Sequence, residues 1–381
     1  MSDDRAREGA APQPAGRSGW LPLTLIVAVV LIVIGAALAF GPRTGGPAGQ
    51  GRRTAAAGGE AAGGGATPPQ AGAAPSAAAG PAAPAVPAAA RRVEVVVHAA
   101  WGSGPGDLGR RRPQEGNPEG PMSFAVDRTG RVLVLDQVNS RVQVFAVGKP
   151  TASVPLPADT FQDIDVGAGG GLVLLDRLAR QVVVFTAADG SLAGEVGLVG
   201  AGVPEGGGVT GLFQRDDGTW VEVEHRDLVR IADAGGRADP NRPTAPGRPT
   251  GDGRAFLRAA LDGREAAVVL RRARDADAFT PLARVPFPAP ILHLTALESD
   301  SRGRIFLAAS LLRRPATEGS RPDEAEVVAI LGPDGADLGR VTLPPRLGPE
   351  EFYRPIRLGA DGNVYQMSWD EGGVTLRRIL P

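Results

Sequence analysis

The chain contains no cysteine. That absence removes disulfides, thiolate nucleophiles and thiolate zinc sites. It also removes the lipid-modified cysteine by which an envelope protein can be held at a membrane. Lysine is nearly missing too, Lys149 being the only one, and histidine is confined to His98, His225 and His293. No two of these histidines lie at metal-ligand spacing along the chain. Charge of one sign is not in excess, since 41 basic residues face 42 acidic ones. With no long basic stripe to displace counterions from phosphates, a nucleic-acid partner is not expected. The one dense basic run, Arg110-Arg111-Arg112, reads as a solvated loop. There is no Gly-x-Ser-x-Gly nucleophile elbow. Gly104-x-Gly106-x-x-Gly109 satisfies the dinucleotide pattern but runs into Arg110-Arg111-Arg112-Pro113 rather than a helix, so nothing there would seat a pyrophosphate. No cofactor is expected.

Long apolar runs are equally scarce, with one exception. Leu21–Phe40, LPLTLIVAVVLIVIGAALAF, carries no charge and at ~1.5 Å per residue spans about 30 Å, the thickness of a hydrocarbon core. Trp20 precedes it at headgroup level. Ala37-Leu38-Ala39 would suit a signal peptidase, but the run is longer than a typical signal core, and an uncleaved single-pass anchor is expected. Arginines flank both sides. The short N-terminal tail, with Arg17 beside the helix, favours a cytoplasmic N-terminus and a periplasmic or extracellular remainder. Residues 41–90 are Ala, Gly and Pro without apolar periodicity, a composition that cannot repay the entropy of ordering. As a coil this linker averages ~40 Å, and as a polyproline-like rod it reaches up to ~150 Å. The expected organisation is a polar tail (1–20), an anchor (21–40), a disordered linker (41–90) and one folded domain (91–381).

That domain is written in short β runs. In Pro121–Phe145, Phe124–Asp127, Val132–Leu135 and Val142–Phe145 are separated by Gly130 and by Asn139-Ser140, the punctuation of an antiparallel meander. Asp136-x4-Arg-Val-Gln-Val-Phe145 returns 40 residues later as Asp176-x4-Gln-Val-Val-Val-Phe185. Ile164-Asp165-Val166 is matched to Ala125–Asp127, and Gly170 to Gly130. A period near 40 residues with several strands per unit marks propeller blades. Later units keep the strand rhythm: Trp220–Glu224 and Leu228–Ile231; Ala255–Ala259 and Ala266–Leu270; Leu292–Glu298, Arg304–Ala308 and Glu326–Leu331; Pro355–Leu358, Asn363–Met367 and Val374–Leu380. Six units in the 291 residues from Arg91 to Pro381 give about 48 each, enough for four strands plus loops. The expected fold is therefore an all-β, six-bladed propeller of four-stranded blades. Val93–Val97 would serve as the outermost strand of the last blade and close the ring.

Pro121–Phe145, with Asp136, Asn139 and Arg141, resembles an NHL repeat. The preceding Trp101-Gly-Ser-Gly-Pro-Gly-Asp107 resembles the loop between blades in that family. Ser140 stands where the family has histidine, and the second unit has Gln181 in place of arginine. The resemblance implies a six-bladed propeller. Related propellers include lyases and sugar-lactone hydrolases that gather metal ligands around the central channel. Residues of this chain at the matching blade position, just before an inner strand, are Asp163, His293 and Arg354. They are the candidate ligand-binding groups at the channel mouth, with the identity of any metal left open. Asp127 and Asp165 read as repeat-matched aspartates that bond loop backbone. The leading expectation is a membrane-tethered binding or scaffolding module for a protein, peptide or envelope ligand on one face. The alternative is a metal-dependent hydrolase or lyase using the channel.

Overall fold

The computed structural model describes residues 92–167, 169–315 and 323–380. The expected anchor Leu21–Phe40 and the linker lie outside the described residues. Within them, no helix is long and apolar enough to cross a membrane.

The described residues form six four-stranded antiparallel sheets, each a meander. Blade 1 is Phe124–Val126, Val132–Asp136, Arg141–Ala146 and Lys149–Pro155. Blade 2 is Asp163–Val166, Leu172–Asp176, Val182–Thr186 and Leu192–Gly197. Blade 3 is Val209–Arg215, Gly218–Val223, Asp227–Ala232 and the two-residue Thr244–Ala245. Blade 4 opens on an equally short Arg248–Pro249 and continues through Ala255–Leu261, Ala266–Ala273 and Thr280–Pro286. Blade 5 is Ile291–Ser299, Ile305–Arg314, Asp323–Leu331 and Asp337–Leu343. Blade 6 takes Ile356–Leu358, Val364–Asp370 and Gly373–Ile379 from the C-terminal end, and Val93–Ala100 as its outermost strand.

That last pairing closes the ring. Val93 lies opposite Ile379 and Ala100 opposite Gly373, with a bulge between Val95 and Val97. The closing strand runs three residues beyond the expected Val93–Val97 and includes His98, whose Nδ1 lies 3.1 Å from Thr375 Oγ1.

The second strands of blades 1 and 2, VLVLD and LVLLD, are buried along their whole length. They pack on both faces, which is why their sequences are unbroken apolar runs rather than alternations. The core is accordingly divided among the interfaces between blades. One cluster fills each of the junctions 1–2, 2–3, 4–5, 5–6 and 6–1, with ten to thirteen buried residues apiece. The junction of blades 3 and 4 holds only Trp220, Leu228 and Ala245, with Phe213 and Phe256 half-buried against them.

Asp136, Asn139 and Arg141 lock the loop that follows the closing strand in place. Asp136 accepts hydrogen bonds from Gly109 N, Asn139 Nδ2 and Arg141 Nε at 2.7–2.8 Å. Asn139 and Arg141 also donate to the carbonyls of Gly102, Ser103, Gly104 and Asp107. The Gly104-x-Gly106-x-x-Gly109 stretch is thus a loop clamped by blade 1, and no helix follows it. Arg110-Arg111-Arg112 departs from the expected solvated loop. Arg110 Nε reaches Glu350 Oε1 at 2.7 Å and its Nη2 reaches Glu371; Arg112 pairs with the same two acids. Glu350 is buried, and a buried carboxylate requires counter-charge, so Arg110 and Arg112 staple the chain entering blade 1 onto blade 6, while Arg111 pairs with Glu119 of its own loop.

Candidate functional site

The inner strands surround a channel, and charged side chains project from them into it. The sequence places three arginines inside two short inner strands or just before them: Arg248 in Arg248–Pro249, and Arg354 and Arg357 before and within Ile356–Leu358. Ile356 and Leu358 pack into the junction of blades 5 and 6, alternation turns Arg357 the other way, and all three arginines find acceptors on other blades.

Arg354 Nη1 donates to Leu212 O of blade 3 at 2.7 Å and lies 3.3 Å from Asp163 Oδ2 of blade 2. Its Nη2 lies 3.2 Å from Glu298 Oε1 of blade 5. Arg357 Nη1 donates to Phe124 O of blade 1 at 2.6 Å and to Ile164 O of blade 2; its Nη2 pairs with Asp165 Oδ2 at 3.2 Å. Arg248 donates from Nε and Nη2 to the two oxygens of Glu222, at 2.6 and 2.9 Å, and from Nη1 to Leu297 O at 2.7 Å. The Phe213 ring lies between Arg354 and Arg248, its centroid 4.3 and 5.1 Å from their guanidinium carbons, an arrangement that favours the cations. Three arginines and four carboxylates therefore join the inner ends of all six blades across the channel.

Asp163 is saturated within this hub. Oδ1 accepts from Ser123 Oγ (2.5 Å) and Ile164 N (2.9 Å), and Oδ2 accepts from Leu212 N (2.9 Å), with Arg354 and Arg357 alongside. The lone pairs a metal would need are already engaged. Among the described residues no group of three or more His, Cys, Asp or Glu side chains converges to hold a metal ion.

The electrostatics follow from burial and pairing. Burial acts to raise the Glu222 carboxyl, but the Arg248 charge beside it, with His225 Nδ1 at 3.3 Å from Oε2, holds it well below the usual carboxylate range. Burial acts to lower Arg248, and Glu222 and Glu298 outweigh it and raise it. Arg357 is lowered by burial and by Arg354 next to it. Burial, with Asp163 adding to it, pushes the Tyr353 phenol up. Tyr353 donates its hydroxyl to Val209 O at 2.6 Å under the guanidinium of Arg177, which itself donates to Gly207 O. These contacts tie three blades together at the face where the inner strands begin, the entry face.

The three candidate residues do not form one site. Asp163 and Arg354 come together in the hub. His293 stands apart in the exposed first half of Ile291–Ser299. Burial and the Arg346 charge lower its pKa. It lines a cavity of about 390 Å³ that borders the hub at Glu222 and Arg248 and is shared with His225, Arg226, Leu261 and Leu292. The match of Asp165 to Asp127 was off by two residues. Val126 pairs with Val132 and Val166 with Leu172, so the turn position of Asp127 corresponds to Gly167. Asp127 caps its turn, accepting from Thr129 N and Arg131 N. Asp165 instead enters the hub and accepts from Gln214 N and Arg357. Arg248, Arg357, Glu222, Glu298 and Tyr353 were not anticipated. The available signal was charge inside strands whose neighbours are apolar.

No family model matches the chain, and no curated protein matches it. Among solved structures it is similar to a gluconolactonase from Xanthomonas campestris, 15% identical over 77% of this chain and 91% of that one, with a TM-score of 0.44. It is also similar to luciferin-regenerating enzyme, at 10% identity over 76% of this chain and 95% of that one, TM-score 0.44. A virginiamycin B lyase from Staphylococcus aureus is 12% identical over 72% of this chain and 99% of that one, TM-score 0.36. These are likenesses of architecture and bring no activity with them.

Proposed function

We propose that this protein is a binding module of the NHL-like type. A single-pass anchor at Leu21–Phe40 tethers it, with the N-terminus cytoplasmic and the propeller in the periplasm or outside the cell, and it engages a protein, peptide or envelope ligand on its entry face. The observation that carries this reading is the hub: Asp163 and Arg354, the channel residues best placed for chemistry, spend their hydrogen-bonding capacity on each other and on neighbouring strands. The entry face also exposes large apolar side chains. Leu178, Leu261, Leu292, Leu347 and Phe352 all lie in its loops or at its strand ends, and loops of this kind on a rigid scaffold are where propellers carry binding.

The alternative, a metal-dependent hydrolase or lyase working in the channel, requires ligands that the hub arginines do not occupy. Elemental analysis of the purified full chain, paired with lactonase and lyase assays, decides between them. The binding reading expects no stoichiometric divalent metal and no turnover. A tightly held metal that is lost, together with activity, in Asp163→Asn overturns it. Phosphatase and fluorescent-protein fusions at the C-terminus test the orientation, the phosphatase being active only if the propeller lies outside the cytoplasm.

A further inference from the structure

The seam between blades 3 and 4 carries more cationic charge than it uses. Blade 4, residues 248–286, has eight arginines and five carboxylates in a chain that is almost neutral. Phe256 lies opposite Arg272, and Arg258 opposite Leu270. By strand alternation, Phe256, Arg258 and Arg272 face the same way, and Arg258 Nη2 reaches Asp227 of blade 3 at 2.6 Å. A cavity of about 590 Å³ opens along this seam, lined by Arg226, Arg258 and Arg272 with Glu224 and Asp227. Asp227 is neutralised by Arg258. Arg226 and Arg272 have no acid within ion-pair distance among the described residues, and Arg272 Nε is buried without any acceptor. A buried guanidinium N–H left unpaired is costly, and the same side chain, Arg272, lines the cavity.

The second, smaller cavity adjoins the first, sharing Arg226 and Arg258. Its far wall is apolar: Leu257, Leu261, Leu292, Leu294 and Leu307. Both volumes lie in the range of small-molecule sites. Between them stands a strained turn. Glu224 and His225 both have left-handed backbone, φ +51° and +55°, and Arg226 N closes the turn onto Val223 O. Two successive left-handed residues are the province of Asn-Gly. Holding Glu-His in that shape aims His225 and Arg226 at the shared rim, and strain of this kind collects at ligand clamps.

We infer that the seam binds an amphipathic anion, a carboxylate or phosphate head on an unbranched apolar chain. The head meets Arg226 and Arg272, and the chain lies against the leucine wall. Paired guanidinium groups suit both heads because each presents oxygens in a plane that the N–H fork can meet. The inference deepens the binding reading and rests on it, but the two fail separately. Metal-dependent turnover in the channel would remove the binding reading without touching Arg226 or Arg272.

The test is arginine footprinting of the full chain with phenylglyoxal, read by peptide mass spectrometry, with exposed Arg302 as the reference. Octanoate or octyl phosphate is expected to slow modification of Arg226 and Arg272 at least fivefold relative to Arg302, and the stronger of the two identifies the head group. Octylammonium is expected to give no protection. Arg272→Leu is expected to raise the octanoate concentration that half-protects Arg226 at least tenfold while thermal unfolding stays unchanged or rises. Absence of protection overturns the proposal, as does equal protection by octylammonium or by inorganic phosphate alone. Undiminished binding in Arg272→Leu overturns it as well.

Discussion

Five junctions between blades are closed by aliphatic packing, and the junction of blades 3 and 4 is closed largely by arginine. The difference originates in strand length. Thr244–Ala245 and Arg248–Pro249 are two residues each, so the outer edge of blade 3 and the inner edge of blade 4 offer almost no sheet surface to pack. The gap is bridged by two ion pairs, Arg248 with Glu222 and Arg258 with Asp227, while Arg230 over Trp220 in blade 3 and Arg258 over Phe279 and Arg274 over Phe256 in blade 4 brace each side. Apolar packing excludes ligands as it excludes water. A junction built from long cationic side chains leaves room: the larger cavity of the proposed site lies along it, and the smaller one runs from it to blade 5.

Four measurements would break or sharpen this contrast. The largest effect is expected where the seam depends on a single pair. Glu222→Ala leaves Arg248 buried without its main partner and should cost about 3–5 kcal/mol in urea unfolding. If it costs no more than a surface substitution, the seam is not held by that pair. Next comes a matched pair of leucine deletions. Leu307, fully buried in the 4–5 cluster, and Leu228, buried in the sparse 3–4 cluster, lose the same atoms on mutation to alanine. Leu307→Ala should cost about 3–5 kcal/mol and Leu228→Ala about 2–3, because the looser seam can collapse around its cavity. Equal costs would remove the distinction between the junctions.

The third measurement is pH dependence. The folded state depresses the Glu222 carboxyl, so its contribution is fully present above the ordinary carboxylate range, about pH 4–5, and is lost as pH falls below it. The urea midpoint should drop on acidification, and drop less steeply in Glu222→Gln. Glu326 has the opposite sign: burial raises its carboxyl, so it weakens the fold at neutral pH, and Glu326→Gln should flatten that loss. The smallest effect is expected from Arg272→Leu, which removes an unpaired buried donor and should raise stability by about 0.5–1 kcal/mol. A clear loss of stability would mean that this arginine is already satisfied.

The ring was legible in the sequence because its signals are local. Asp136, Gly130 and the apolar triplets recur at one spacing, and each marks a turn or a doubly buried strand by itself. The closure by Val93–Ala100 was legible because an unpaired β run ahead of the first repeat has one free edge to join. The inner strands Val209–Arg215 and Arg248–Pro249 were not read. Gly211 and Pro249 interrupt them, and neither carries the aspartate turn of blade 1. The hub was half visible. Asp163 and Arg354 stand out by position, but their pairing joins residues 191 apart, and no periodicity reports a contact across the channel. His293 does not share the repeat position of Asp163: Asp163 pairs with Leu175 and Ala296 with Ala308, the fourth residue of the second strand in each blade, so His293 lies three residues nearer the entry face.

The span of the hub along the chain also sets a schedule. The carboxylates of blade 2 leave the ribosome 191 residues before the arginine that meets them, which at ordinary synthesis rates is roughly 10–40 s. For that interval Asp163 and Asp165 have no cation from blade 6 and must stay hydrated, so the axis of the growing ring is wet. The blade 2 carboxylates meet their counter-charge only when the last blade delivers Arg354 and Arg357. The same segment brings the strand that receives Val93–Ala100, so pairing across the axis and joining of the rim belong to one late event.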